Sequence, residues 1–348
     1  MNSISDTGSV TTSPSDETVP YEKAVKAVDD MRSTMRSLHA EEAPAPISTL
    51  IIEETFSLLH HGALYSGMGE EALTAAFASA LAAAGVMWRR QWVWHTEIGV
   101  ESFLWNQYSK SSETVLGADF SLIFADLNKD GDATEYRLIV AQAKRHTASD
   151  PQRLHVQRKG FSTAGDRKAP PGWQADADAR LRKALVYEEL DEQEIEPGTP
   201  NWQLSRLLSL HQRMKAVDIP ASFVYVIWPA SPDNDGNINP VLYEQLHVVS
   251  DEIQKNFAEN GKLLQSFEID ENKHFREYLL NYRNIDAMSE TQLLDVLETI
   301  KAKSAATILI NASGKPLSPN LKSRLGTSGI PPYVPATPQA ARKYPQPR

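Results

Sequence analysis

Two apolar runs separated by one turn constrain this chain more than any other feature. The first reads Phe120-Ser121-Leu122-Ile123-Phe124 and the second Tyr136-Arg137-Leu138-Ile139-Val140-Ala141. Apolar residues at both parities predict strands of a sheet covered on both faces. Between them, Asn128-Lys129-Asp130-Gly131-Asp132 contains the Asp-Gly pair that tight hairpins favour. In an antiparallel hairpin the start of one strand lies beside the end of the other. Asp119 opens the first strand, and Gln142-Ala143-Lys144-Arg145 closes the second. The spacing therefore predicts an acid, an amide and a lysine at one edge of a buried sheet.

A carboxylate, a second oxygen donor and a lysine at one point suit metal-assisted phosphodiester hydrolysis. Hard oxygens bind a cation such as Mg²⁺, and the lysine offsets negative charge that develops on the phosphate. A polar rim on a structural hairpin is the plain alternative. Asp119, Gln142 and Lys144 resemble the motif of the restriction-endonuclease-like, PD-(D/E)xK, nuclease superfamily, in the Gln-x-Lys variant found in Mrr-like members. The element order from about position 68 to 229 resembles that core as well. The resemblance implies an α/β fold: a three-layer core with a mixed sheet flanked by helices, plus additional C-terminal α/β elements. It further implies Mg²⁺ or Mn²⁺ held by Asp119, Gln142 and the carbonyl of Ala143, with Lys144 orienting or activating the attacking water. In that family the first helix often sends an acid to the metal; Glu70 is the matching residue here and Glu71 the runner-up. Gln142 in place of the family acid removes a charge and should weaken metal binding.

The formal net charge is −10, which by itself argues against a nucleic-acid partner. Its distribution argues the other way. Between Lys144 and Lys168 there are seven Lys or Arg and two Asp, a local excess of five positive charges, whereas Glu188–Glu196 holds six acids in nine residues. The basic block follows directly on the proposed site. Arg145, Arg153, Arg158 and Lys159 are its candidate phosphate contacts, and an ordinary solvated loop is the alternative. The chain has no cysteine, which excludes disulfides, thiol catalysis and thiolate-ligated zinc. No run of 18 uncharged apolar residues and no secretory signal is read, so the expectation is a cytoplasmic protein with no membrane partner.

The remaining stretches frame this core. Residues 1–20 carry nine Ser or Thr and no Lys or Arg, and are expected to be disordered. Residues 21–66 read as N-terminal helices, with Ile52, Phe56, Leu59 and Ala63 at helical spacing and His60-His61 a surface pair. Residues 67–230 read as the nuclease-like core. Within it lie a helix from Glu70 to Ala84 ending at Gly85, a first strand around Trp92, Trp94 and Thr96, helices over 174–190 and Trp202–Met214, and a strand over Ala221–Trp228. The four tryptophans between 86 and 105 are read as packing before base-stacking. His211 is read as a core histidine, and Gln212 and Arg213 as residues that could reach phosphate. Asp126-x-Asn128-x-Asp130-Gly131-Asp132 copies the start of a calcium loop, but Arg137 stands at the twelfth position where such a loop needs Glu, so a hairpin turn is favoured. Residues 231–314 read as a C-terminal α/β extension, with a capped helix from Ser289 to Lys303 and a strand over Ala306–Asn311. Residues 315–348, with eight prolines, six basic residues and no acids, are expected to form an extended, basic, disordered tail.

The function expected from the sequence is metal-dependent hydrolysis of nucleic acid, DNA before RNA, in phage or foreign-DNA defence, by a homodimer or a partner subunit of a defence system. An inactive nuclease fold acting as a nucleic-acid-binding or scaffold subunit is the first rival. A module whose basic patch meets an acidic protein is the second. Reversing Arg158 and Lys159 to Glu should weaken nucleic-acid binding and flatten its dependence on salt, as removal of phosphate contacts does. Equal binding by wild type and variant at low and high salt would rule out this role for the block.

Overall fold

The computed structural model describes residues 47–66, 68–93, 103–107, 118–146, 153–156, 202–230, 239–260 and 266–325. The predicted hairpin is at its centre. Strand β2 (Ala118–Leu127) pairs antiparallel with β3 (Thr134–Arg145), from Phe120 opposite Ala141 to Leu127 opposite Thr134. The turn is tied by Asn128: its Oδ1 accepts from the Asp132 and Ala133 N–H groups, and Gly131 takes the positive φ of 74° that glycine tolerates. The segment is a hairpin turn, as favoured over a calcium loop.

This hairpin lies inside a six-stranded mixed sheet of order β1-β8-β2-β3-β5-β6. Strand β1 is Phe103–Gln107, β5 is Ser222–Trp228, β6 is Leu242–Gln245 and β8 is Ser304–Asn311. β8 runs parallel to β2, and β5 runs parallel to β3. The late stretch expected to form an extension thus supplies an interior strand of the same sheet. A separate antiparallel pair joins β4 (Arg153–His155) to β7 (Ser266–Glu268).

Side chains alternate across a strand, so each parity feeds one layer. Phe120, Leu122, Phe124, Ile139, Ala141, Val224, Val226 and Trp228 face one side and pack with helices α1 (Ile47–His61), α2 (Glu70–Val93) and α5 (Phe275–Leu280). Ile123, Ala125, Leu138, Val140, Tyr225, Ile227 and Leu309 face the other. There they meet α3 (Trp202–Ala216), α4 (Leu246–Asn260), α6 (Glu290–Lys303) and α7 (Pro319–Leu325). The result is an α/β fold with a mixed sheet between two helical layers. The first layer is tied by aromatic contacts: Phe77 of α2 sits 5.2 Å from Phe120, 5.8 Å from Trp228 and 6.0 Å from Phe275, ring centre to ring centre.

Helix α1 covers the expected range and exposes His60 and His61. α3, β5 and β8 lie where they were expected, and α6 begins at a capping box in which Ser289 and Gln292 satisfy each other's backbone N–H groups. Two readings need correction. α2 does not stop at Gly85 but runs through it to Val93, so Trp92 is helical, and the first strand among the described residues begins at Phe103. Gly85 is buried within the helix, where packing outweighs the roughly 1 kcal/mol that glycine costs relative to alanine. Over Glu70–Trp88 this helix is also, by length and composition, apolar enough to cross a membrane. Its Leu73, Phe77, Leu81 and Ala84 stripe is buried against the sheet.

The second correction concerns the C-terminal stretch. Leu317, Leu321 and Leu325 are 4, 0 and 2 % exposed, so the chain from Lys315 to Leu325 docks on the core. Leucines four residues apart form one stripe of a helix, and the surrounding prolines obscured it. The readings for 1–20, for the part of 21–66 that precedes Ile47, and for 174–190 lie outside the described residues, as does the stretch from 326 on.

Two residues before Asn128, Asp126 near the end of β2 is buried and holds three groups. Its Oδ2 accepts from Tyr282 Oη at 2.7 Å and Arg283 Nε at 2.6 Å, and its Oδ1 from the Leu127 N–H at 2.9 Å. Burial first, and then the Asp126 carboxylate, push the Tyr282 phenol up to about 12 against the opposing hydrogen bond with Ser48. Asp126 is therefore a structural anchor. Leu321→Ala should cost about 2–5 kcal/mol of stability, the usual range for emptying a fully buried leucine site. Truncation after Pro316 should cost more. Urea denaturation monitored by circular dichroism checks both, and an unchanged midpoint for the truncated chain would show that α7 does not support the core.

Candidate functional site

The antiparallel register carries Asp119, one residue before Phe120, to the level of Gln142, one residue after Ala141. The side chains meet there. Asp119 Oδ2 accepts the backbone N–H of Ala143 at 2.7 Å and a short hydrogen bond from Gln142 Nε2. Gln142 is 1 % exposed, and its Nε2 also lies 3.3 Å from its neighbour's carbonyl at Ala143. The acid–amide half of the predicted site is thus assembled by a backbone donor and a buried side chain on one strand.

The lysine half stands two residues further along β3, roughly 6.6 Å by strand geometry and on the same face as Gln142. Lys144 Nζ donates to Gln203 Oε1 at 2.9 Å and lies 3.5 Å from Glu70 Oε1. Its side chain is 14 % exposed, and that of Glu70 is 29 % exposed. A lysine this covered requires oxygen partners, and here one is a carboxylate and one a neutral amide. The sequence reading named Glu70 and missed Gln203. A glutamine on the first turn of a helix has no periodic or motif signal that would single it out.

Glu70 reaches Lys144 because its helix start is fastened to the end of β5. Trp228 Nε1 donates to Thr74 Oγ1 at 3.0 Å, and that hydroxyl donates to the Glu70 carbonyl, also at 3.0 Å. Trp228 is fully buried and pairs across the sheet with Arg145, the residue after Lys144. One indole therefore ties the first turn of α2 to the strand end that carries the lysine. Glu71, the other acid of that turn, is exposed.

Tyr225 is a second residue that the sequence reading missed. It is the cross-strand partner of Gln142, is 1 % exposed, and lies within the field of Asp119. Burial first and the Asp119 charge second hold its phenol proton far above the usual tyrosine range. The site thus keeps a neutral phenol beside its acid and amide.

The oxygen donors present are the carboxylates of Asp119 and Glu70, the Gln142 amide and the Ala143 carbonyl. All are hard ligands of the kind that Mg²⁺ or Mn²⁺ takes. Among the described residues no three His, Asp or Glu side chains cluster as a metal-binding group. The donor chemistry fits a hard cation with a reduced ligand charge. In this arrangement Gln142 turns its N–H₂ end to Asp119, so ligation by its oxygen requires the amide to rotate about its terminal bond.

The basic candidates divide. Arg145 is partly buried, with Nε 3.5 Å from the Pro229 carbonyl. Arg153 is exposed on β4, opposite Glu268. Arg158 and Lys159 lie outside the described residues. His211 is half-buried against Phe223, with ring centres 5.0 Å apart. Burial, Lys215 and His247, in that order, lower its affinity for a proton. His211, Gln212 and Arg213 sit eight to ten residues beyond Gln203 on α3, roughly 12–15 Å along the helix. Position on the helix therefore places them away from Lys144. A groove of about 1090 Å³ opens at that other end, lined by His211, Tyr243, Lys273 and Tyr278 among others. Ser222, in its wall, pairs with Ile139, five residues before Lys144 and roughly 17 Å away along the strand. This groove is therefore separate from the acid, amide and lysine.

Thr74→Val should cost about 1–3 kcal/mol, because it leaves the buried Trp228 N–H without its acceptor. Adding Thr74→Val to Trp228→Phe should cost little more than Trp228→Phe alone, since the shared bond is lost once. Urea titration of the single and double variants checks this. Strict additivity would mean that the indole does not hold the helix start.

No protein-family model matches this chain, and neither a curated protein nor a solved structure matches it.

Proposed function

We propose that this chain is a metal-dependent nuclease hydrolysing phosphodiester bonds of nucleic acid, DNA before RNA, with a restriction-endonuclease-like core. The observation that carries the reading is that the Asp119–Gln142–Ala143 cluster and the neighbouring Lys144–Glu70 pair, from three separate segments, lie at one end of the sheet. A structural hairpin needs only its ladder and its turn. It has no need of a covered lysine paired with an acid from another layer.

Asp119, Gln142, the Ala143 carbonyl and Glu70 are the residues that would hold Mg²⁺ or Mn²⁺. The bound cation would supply Lewis-acid polarisation of the phosphate and a more acidic water. Lys144 presents its ammonium where negative charge builds up on the phosphoryl oxygens, and it can align the attacking water. The Ala143 N–H fixes one oxygen of Asp119 through a main-chain donor. Glu70, 3.5 Å from Lys144, would turn from the lysine to the cation. The restriction, repair and defence roles common in the resembled superfamily suggest phage or foreign-DNA defence as the context, by analogy.

A second reading has its own support. Asp119 already receives two N–H donors and Glu70 already faces Lys144, so the site satisfies itself without a cation. That favours an inactive nuclease fold serving as a nucleic-acid-binding or scaffold subunit. The two readings separate on linear, circular and single-stranded DNA and on RNA, each with and without Mg²⁺ or Mn²⁺. For a nuclease, Asp119→Ala abolishes metal-dependent cleavage. Lys144→Ala keeps metal affinity but lowers kcat by about 100- to 1000-fold, the usual loss of one transition-state donor. Gln142→Glu tightens metal binding by restoring a charge. The same background from wild type and both alanine variants on every substrate would give the scaffold reading its place.

A further inference from the structure

We infer that Gln203 is the positioning residue for Lys144, holding the ammonium on the α3 side so that Glu70 can leave it for a cation. The inference rests on the nuclease reading and adds a residue to its machinery. Lys144 sits between two helical layers: Gln203 reaches it from α3 at 2.9 Å and Glu70 from α2 at 3.5 Å. The closer partner is the uncharged one. A neutral acceptor directs an ammonium without cancelling its charge, whereas a carboxylate at the same distance would offset the field that a phosphate is meant to feel.

The placement is rigid. Gln203 lies on the first turn of α3, and Leu204, Leu207 and Leu208 of that helix are 1, 0 and 3 % exposed in the core. Its backbone is therefore set by packing that does not involve the site. Glu70 has two uses, ion pair and cation ligand, and in the second its hold on Lys144 is given up. Without Gln203 the lysine would keep only Glu70, or lose both of these oxygens once Glu70 turns to a cation. In the first case it competes with the cation; in the second it loses its direction.

The test uses the full chain and Gln203→Leu, Gln203→Glu, Lys144→Met and Glu70→Gln variants. Gln203→Leu should lower kcat for DNA cleavage about 100-fold at unchanged KM, the cost of a misplaced reacting group. Gln203→Glu keeps an oxygen in place but sets a carboxylate against the ammonium, so it should recover only part of that loss. Mn²⁺ binding, followed by electron paramagnetic resonance without any substrate, should weaken several-fold in Gln203→Leu, because the lysine then stays on Glu70. In the Glu70→Gln background the same substitution should leave Mn²⁺ affinity unchanged. Finally, the shift in urea midpoint caused by Gln203→Leu should vanish in the Lys144→Met background. Wild-type cleavage matched in kcat by Gln203→Leu would overturn the inference and leave the nuclease reading standing. So would a midpoint shift of equal size with and without Lys144. Wild type that cleaves no substrate would overturn the nuclease reading and the inference with it, even if the midpoints remain coupled.

Discussion

The antiparallel pairing of β2 with β3 is the constraint on which everything else depends. Asp119 and Lys144 are 25 positions apart in the chain, and only the reversal at Asn128–Ala133 returns one to the level of the other. A slip of one residue would move Gln142 and Lys144 to the opposite face. The register is held against that slip on both sides, because each face of the hairpin is buried in its own apolar layer. The short link from the Ala143 N–H to Asp119 is then a by-product of a ladder that packing already determines. Precision at the site is thus inherited from the core.

The helical layers contribute one polar group each to the lysine, and each group is held by a contact outside the site. On one side the Trp228 indole grips Thr74 and thereby the carbonyl of Glu70. On the other, three buried leucines of α3 fix the turn that carries Gln203. At the opposite end of β2, Asp126 performs a different task with the same chemistry. It binds Arg283 and Tyr282 into the core, and the stacked rings of Phe124 and Tyr282, 4.1 Å between centres, lie next to it. Two aspartates on one strand therefore have different work. Asp119 faces a strand end with a lysine nearby, while Asp126 is closed in by an arginine and a tyrosine.

The hairpin was legible because its signals are local: continuous apolar runs, an Asp-Gly turn and polar residues at the strand ends. The capping box at Ser289 was legible for the same reason. Contacts between distant segments were not. Ala306–Asn311 reads plainly as a strand, but nothing in that stretch says that it enters between β1 and β2. The continuation of α2 past Gly85 was hidden because a glycine normally marks a helix end, and only tertiary burial explains its survival there. α7 was hidden by proline content, although Leu317, Leu321 and Leu325 already had helical spacing. At the candidate site, Asp119, Gln142 and Lys144 followed from strand pairing, and Glu70 from the resemblance to a family whose first helix sends an acid to the metal. Gln203 owes its place to the helical layer packed on the sheet and Tyr225 to the pairing of β5 with β3, and no local pattern encodes either.

The position of β8 has a consequence for the order in which the sheet is completed. β2 is flanked by β3, a few residues downstream, and by β8, whose first residue Ser304 aligns with Ala118. As the chain is synthesised, the hairpin can close at once, but the other edge of β2 stays open for some 180 residues more. An open apolar edge is a template for any passing strand, and long-range parallel pairing is slow to form. The strand that carries Asp119 is therefore among the earliest to be made and the last to be fully enclosed.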